Sequence, residues 1–314
     1  MARSAPTLRG FAAGEISPRL EGQITLEKYK QGLSDLTNMM VMPHGGVQRR
    51  PGTEFLGEIK NSATKARLIP FQFKTSDTYM LEFSPGTMRV YRNGLQILVG
   101  AAKTITAITQ ASPGVITASS HGFANGDEIF VDGIVGMTEL NGRNFKVADA
   151  TTNTFTLVGL FANAIDTSGF GAYTSGGSAD KIYEISTPYA EAHLADLRYA
   201  QSADTMYIVH PEHDVRTLSR TASNNWTLAA STIVGAPSLA LSGANNRPSV
   251  VTFFEQRLVF ANTNDNPQTL WFSKNGDYLN FTAGTADDDA LIYTIASNQV
   301  NAIRYLSATR VLTI

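Results

Sequence analysis

Cysteine is absent from the 314 residues, which removes disulfides, thiolate-ligated zinc, thiol nucleophiles and redox motifs together. The fold must therefore stand on packing and hydrogen bonding. Charge is also sparse and balanced: 17% of residues are charged, and 25 Lys and Arg face 27 Asp and Glu, for a formal net charge of -2. A protein that holds nucleic acid by its phosphates carries a basic excess, so any contact with DNA is expected to be transient and set by shape or confinement. No run approaches the ~18 consecutive apolar residues of a membrane span, and Met1–Gly10 lacks the apolar stretch of a secretory signal. No membrane span is expected, and the protein is assembled in a cytoplasm, that of an infected cell included.

Catalytic signatures are missing as well. A phosphate cradle needs GxxxxGK[ST] or GxGxxG between a strand and a helix, and an esterase elbow needs GxSxG; none occurs. No catalytic residue, cofactor or metal is expected, and the chain reads as a non-enzyme.

What the chain does have is alternating Val, Ile, Thr, Tyr and Phe bounded by Gly, Pro, Asn and Asp from Ala66 onward, the pattern of antiparallel strands. Helical spacing is confined to Leu26–Met40, through Leu26, Tyr29, Leu33, Leu36 and Met40, and to a short Glu191–Leu197. One hairpin pattern recurs. Asp77–Tyr91 matches Asp204–Leu218, both a strand, a Pro-containing turn and a returning strand, and a third copy runs through Gln256–Ala261, Asn262–Pro267 and Gln268–Ser273. The second and third copies lie about 50 residues apart, near the length of a kelch-type propeller blade. Removing Lys103–Ala179 brings the first interval to a similar period. A fourth unit begins at Asn301–Leu306 and its first hairpin strand at Thr309–Ile314; a stack ending there leaves an unpaired edge, so a further C-terminal part, or another polypeptide, is expected to complete it.

The expected fold class is thus mainly β: β-propeller-like repeated antiparallel blades with an inserted small β-barrel domain and a short helical N-terminal segment. The expected divisions are 1–60 as an N-terminal docking segment, 61–102 as first-blade strands, 103–179 as the insertion and 180–314 as further blades.

Within the insertion, Asn125-Gly126, Asp132-Gly133 and Asn141-Gly142 supply the positive φ angles of tight hairpins. Val115–Val131, followed by Gly136–Gly142 and Phe155–Leu157, resembles the small β-domain that phage tail proteins share with ubiquitin-activating enzymes. Activation in those enzymes needs a nucleotide-binding domain and a cysteine thiol, so here the resemblance implies a binding or packing module. His121 and Asp127 form no catalytic pair in this reading; His121 caps backbone groups in a turn. His210, Glu212, His213 and Asp214 have the chemistry of divalent-metal ligands. They fall, however, where the other copies carry Ser84-Pro85-Gly86 or Asn262–Pro267, and read as a polar hairpin loop.

Phe11–Leu20, then Tyr29, Gly32, Leu36 and Asn38, then Gly45–Phe55, resembles the opening of tail nozzle proteins, also called tail tubular protein B, of short-tailed bacteriophages. Pro267–Ser273 and Gly276–Tyr278 resemble a blade of the same family. The resemblance implies a structural virion protein of the viral tail: a homo-oligomeric ring, a hexamer, that continues the DNA channel below portal and adaptor, retains the genome and permits its ejection. Its implied partners are the tail adaptor protein, tail fibres or spikes, and, transiently, phage DNA. Arg49 and Arg50 offer paired guanidinium forks for an interface, with Phe55 beside them. Asp287, Asp288 and Asp289 are candidate channel-lining residues, since acidic walls keep a duplex from sticking. The alternatives are a carbohydrate-binding or carbohydrate-degrading β-propeller at the tail, whose chemistry would require two carboxylates at a set separation, and a cellular propeller scaffold.

Overall fold

The computed structural model describes residues 10–53, 55–160, 163–235, 241, 243–296 and 301–314. The chain divides into two compact units, Met1–Phe55 and Leu56–Ile314, and β-strand dominates.

The first unit is made of short pieces. Gly14–Glu15 pairs in parallel with Gly32–Leu33, and Met39–Val41 pairs antiparallel with Val47–Arg49. The helix expected over Leu26–Met40 is replaced by a single 3-10 turn, Glu27–Gln31, followed by extended backbone at Gly32. Two features end it. A Cβ on Gly32 would lie 2.6 Å from Ile16 Cγ2, so this position is fitted to the parallel pairing, and Asn38 sits at φ 57°, outside the right-handed helical region. The apolar spacing also lacks a covering partner: Leu26, Met39 and Met40 are exposed, whereas a helix in a protein draws most of its stability from a buried stripe.

In the second unit the strands Arg67–Lys74, Asp77–Ser84 and Thr87–Arg92 form a meander, and Glu184–Ser186 pairs with Thr87–Arg92 to complete the first sheet. The second sheet is Arg198–Ser202, Thr205–His210, His213–Ala222 and Asn225–Ala230; the third is Val250–Phe254, Arg257–Ala261, Thr269–Phe272 and Leu291–Thr294. Each is antiparallel; the second and third have four strands in ladder order, and the first has a fifth, Leu95–Gln96, beside Thr87–Arg92. The expected short helix at Glu191–Leu197 is a 3-10 turn, Glu191–Asp196, in the connection between the first two sheets.

These sheets stack face to face, and the alternation of side chains shows how. From the first sheet, Ile69, Phe71, Leu81, Phe83, Met88 and Val90 meet Met206, Ile208, Leu218 and Trp226 of the second. The intervening residues Tyr207, Val209 and Val215 point the other way, onto Leu258, Phe260 and Trp271 of the third. Val259 and Ala261 in turn point away from Phe260, toward Leu270 and Ile303. Because successive residues alternate between faces, a strand covered on both sides must be apolar throughout, and Met206–Val209 and Leu258–Ala261 are. Trp226 lies edge-on to Phe71 at 4.7 Å and to Tyr79 at 5.4 Å, and Phe260 stacks on Phe281 at 5.2 Å. Arg220 ties the first two sheets at their rim, donating to Asp77 and Tyr79 of the first and to Asp204 of the second. Asp77 and Asp204 are the same position of the hairpin repeat.

The insertion is a separate curled sheet of seven strands running from Lys103–Thr104 to Ser175–Lys181. Its two edge strands, Lys103–Thr104 and Ala107–Ile108, are consecutive in the chain. Ile105 N–H donates to Gly177 O on one edge and Thr106 N–H to Thr117 O on the other, so one bent stretch draws both edges together around Ile129, Val131, Leu140, Phe145 and Phe155. Asn125-Gly126 and Asn141-Gly142 make their turns, with the glycines at φ 88° and 70°. Asp132-Gly133 does not: Gly133, at φ 75°, lies inside the strand Glu128–Val135, opposite Gly177 at φ 94°. Glycines facing each other in mid-ladder bend the sheet without ending it.

The insertion stands on a two-stranded neck, where Val99 N–H donates to Lys181 O and Tyr183 N–H to Ile97 O, with Leu98 bridged to Ile182. Beside the neck, the fully buried Arg89 of the first sheet pairs with Glu128 of the insertion and, at 3.1 Å, with Glu184, which also holds Lys60. Burial works against the charge of Arg89, but Glu128 and then Glu184 outweigh it and hold the guanidinium above its ordinary value. Removing one partner of a buried pair strands the other. Arg89→Met is therefore expected to destabilise the second unit by about 3–5 kcal/mol, with the added change Glu128→Leu recovering most of the loss in a urea-denaturation double-mutant cycle. In the stack, Phe260→Ala is expected to cost about 3–5 kcal/mol. Leu291→Ala, on an edge strand exposed on both faces, is expected to cost less than about 0.5 kcal/mol by the same measurement.

Candidate functional site

The proposed interface residues lie in the first unit, on a short hairpin and beyond it. Arg49 closes the strand Val47–Arg49 opposite Met39, and Arg50 N–H donates to Asn38 O at 2.9 Å. Pairing the backbone in this way leaves both guanidinium groups exposed. Phe55 is 77% exposed, an aromatic ring offered to solvent.

Asp287–Asp289 forms a pinned loop on the third sheet. Arg257, buried in the strand Arg257–Ala261, donates to the backbone carbonyls of Ser273, Asp287 and Asp289, and Asn275 N–H donates to Asp288 O. Asp289 is engaged by Lys274 at 2.6 Å, which holds its carboxyl below the usual carboxylate range. Asp287 and Asp288 are exposed. The loop thus presents two carboxylates from a rigid backbone and commits the third to a lysine.

Three histidines cluster at the turn between two strands of the second sheet. His210 and His213 flank the turn between Thr205–His210 and His213–Ala222, and His193 reaches them from the 3-10 turn Glu191–Asp196. Ring centroids are 4.9 Å apart for His193 and His210, 4.6 Å for His193 and His213, and 5.2 Å for His210 and His213. The hydrogen bonds assign the protons. His193 Nδ1 accepts Ala190 N–H at 3.2 Å, so His213 Nε2, 2.8 Å away, donates to that same nitrogen. The His193 proton then sits on Nε2, 3.3 Å from Glu212 Oε2. His210 Nδ1 accepts Glu212 N–H at 3.1 Å. Burial, then the neighbouring His213 and His193 rings, push His210 down to about 4; burial and His193 likewise lower His213. Beneath them the buried Tyr189 meets His213 edge-on at 5.1 Å, and its burial raises its phenol.

His210 and His213 were visible in the sequence as part of a polar loop, but His193 was not. It belongs to another element, and the only trace was a histidine inside the short turn preceding the second hairpin. Among the described residues, no group of three His, Asp or Glu side chains is arranged to hold a metal ion. Asp214 pairs instead with Arg247 at 2.8 Å. His121, in the insertion, is buried with Nδ1 accepting Phe123 N–H and its ring edge-on to Phe155. Asp127 is bound to Lys181 and to Ala124 N–H; the two side chains therefore serve separate structural bonds.

Comparison with known proteins gives a family match to part of the chain and distant matches among solved structures. No curated protein matches the chain. The structure of phage phi92 endosialidase matches at 14% identity with a TM-score of 0.26, over 76% of this chain and 39% of that one. The chain thus spans well under two thirds of that protein. The family model of the FCCH domain of the ubiquitin-activating enzyme E1 matches residues 111–182. That stretch takes in the curled sheet from Val115–Thr117 to Ser175–Lys181 and ends on the neck at Ile182, so the insertion is similar in sequence to that small domain.

Proposed function

We propose that the chain is a structural subunit of a phage tail, of the nozzle type, working as a ring around the DNA path. One observation carries this reading: a small domain similar to the FCCH domain is inserted into the first of three stacked antiparallel sheets, in a chain with no cysteine to do thioester chemistry. The sequence features that resemble nozzle proteins flank this insertion on both sides, in the N-terminal signature and in the third sheet.

In this reading the stacked sheets are blades of a propeller, and a head-to-tail ring of identical copies, a hexamer, satisfies closed symmetry. Arg49, Arg50 and Phe55 dock on the adaptor or on the neighbouring copy, where guanidinium forks and an exposed aromatic ring supply directional and apolar contact. Asp287 and Asp288 face the duplex, whose phosphates they repel, so that DNA passes without adhering. The work is mechanical. The ring holds the genome, carries fibres or spikes, and opens when the particle engages its host.

Immunogold labelling or cryo-electron microscopy of intact particles is expected to place this chain on the tail axis, and light scattering of the purified chain to give the mass of a closed ring. Arg49→Glu with Arg50→Glu is expected to prevent assembly into tails while leaving the melting temperature of the isolated chain unchanged. A soluble monomer that releases reducing ends from bacterial polysaccharide would instead establish the carbohydrate-degrading alternative and end the nozzle reading.

A further inference from the structure

The connection between the first two sheets is anchored at both ends. At one end Thr187 N–H donates to Gly86 O, Gly86 N–H donates to Tyr189 O, and the Tyr189 ring packs on Phe83, all on the first sheet. At the other end His193 and Tyr189 meet His210 and His213 on the second sheet. Apart from burial between the sheets, these rings are what joins the connection to the β-turn it crosses.

Two of the three rings, His193 and His210, are bound as acceptors, and His213 is bound as a donor. His193 Nδ1 takes Ala190 N–H and the His213 proton, and His210 Nδ1 takes Glu212 N–H. A neutral imidazole has one such nitrogen, and an imidazolium has none. A second proton on His193 or His210 must therefore displace a backbone N–H, and charge on more than one ring sets cations about 5 Å apart in a half-buried site, where repulsion is weakly screened. Other charges facing the cluster are few. Glu212 lies beside His193, with Asp196 from the 3-10 turn; Arg216 and Arg247 add positive charge from the second sheet and from the segment before the third, although Arg247 is held by Asp214. Tyr189 carries no charge near neutral pH.

We infer that His193, His210 and His213 form a proton-operated latch, tying the connection to the second sheet when neutral and releasing it when protonated. The sign follows from the direction of the shifts. His210 is held at about 4 against an ordinary 6.5, and His213 is also lowered, so the unfolded or unlatched chain binds more protons between these limits. The latch is complete above about pH 6.5 and is progressively lost as pH falls toward 4. This inference is independent of the phage-tail reading and holds for the isolated chain.

The test combines thermal melting with hydrogen exchange on the full chain. Between pH 7.5 and pH 5 the wild-type melting temperature is expected to fall by on the order of 5 °C. Asn places a carbonyl oxygen near the position of Nδ1, so the double variant His193→Asn, His210→Asn retains acceptors for Ala190 and Glu212 without titrating, and its fall is expected to be at most half as large. His44→Asn, on an exposed turn of the first unit, is expected to behave as wild type. In wild type, exchange corrected for intrinsic rates is expected to accelerate at the amides of Ala190 and Glu212 over the same pH range. An unchanged slope in the double variant, or unchanged exchange at those amides, overturns the latch. Stabilisation of the wild type by equimolar zinc at pH 7.5 that is lost in the double variant would also overturn it, by making the cluster a metal site.

Discussion

A β-sheet with two apolar faces has to be covered twice. The second sheet is in this position: Met206 and Ile208 rest on the first sheet while Tyr207 and Val209 rest on the third. The rest of the unit follows from that requirement. A strand sandwiched in this way cannot slip by one residue to find a polar face for solvent, because it has none, so register is set by side-chain shape and by the rim clamp of Arg220 on Asp77 and Asp204. The same demand passes along the stack, since the third sheet has its own outward set, Val250, Val259 and Leu270, which calls for the cover that Ile303 begins to provide.

Polar side chains then gather where the stack stops being symmetrical. Arg89 and Glu128 sit where the insertion meets the first sheet, the histidines where the connection crosses the second, and Arg257 where the loop Ala283–Ala290 returns to the third. None lies in the middle of an interface between sheets. Burial between sheets is apolar and tolerant of small volume changes, whereas buried charge and bonded imidazole tolerate neither removal of a partner nor a change of protonation state. Packing thus supplies the bulk of the stability, and these few polar groups decide how the parts are oriented and under what conditions they stay together.

The hairpins were legible because period-2 alternation and turn residues are local signals, and the pair Asn125-Gly126 and Asn141-Gly142 read correctly for the same reason. Asp132-Gly133 is a turn dipeptide of the same kind but sits in mid-strand, where its partner Gly177 lies far off in sequence, so the dipeptide alone could not distinguish a turn from a bend. Leu26–Met40 failed differently: its spacing is helical, yet spacing decides only when something buries the stripe. His193 and Glu184 were unreadable as site residues. Each gains its meaning from a side chain on another element, and composition registers neither contact. Arg49, Arg50, Asp287 and Asp288 are exposed, as charged side chains usually are, whereas the exposure of Phe55 runs against its residue type.

The neck of the insertion bears on how the chain folds. Glu184–Ser186 must pair with Thr87–Arg92 across nearly the whole inserted segment, a separation that ordinarily makes a strand pairing slow, because a long loop has to be closed first. A curled sheet that forms first closes that loop in advance. Once its own strands have found one another, Leu98 and Ile182 are side by side, and the remaining search is that of a short hairpin. The insertion acts as a prefolded turn, so its sequence can change or lengthen without lengthening the search by which the first sheet is completed.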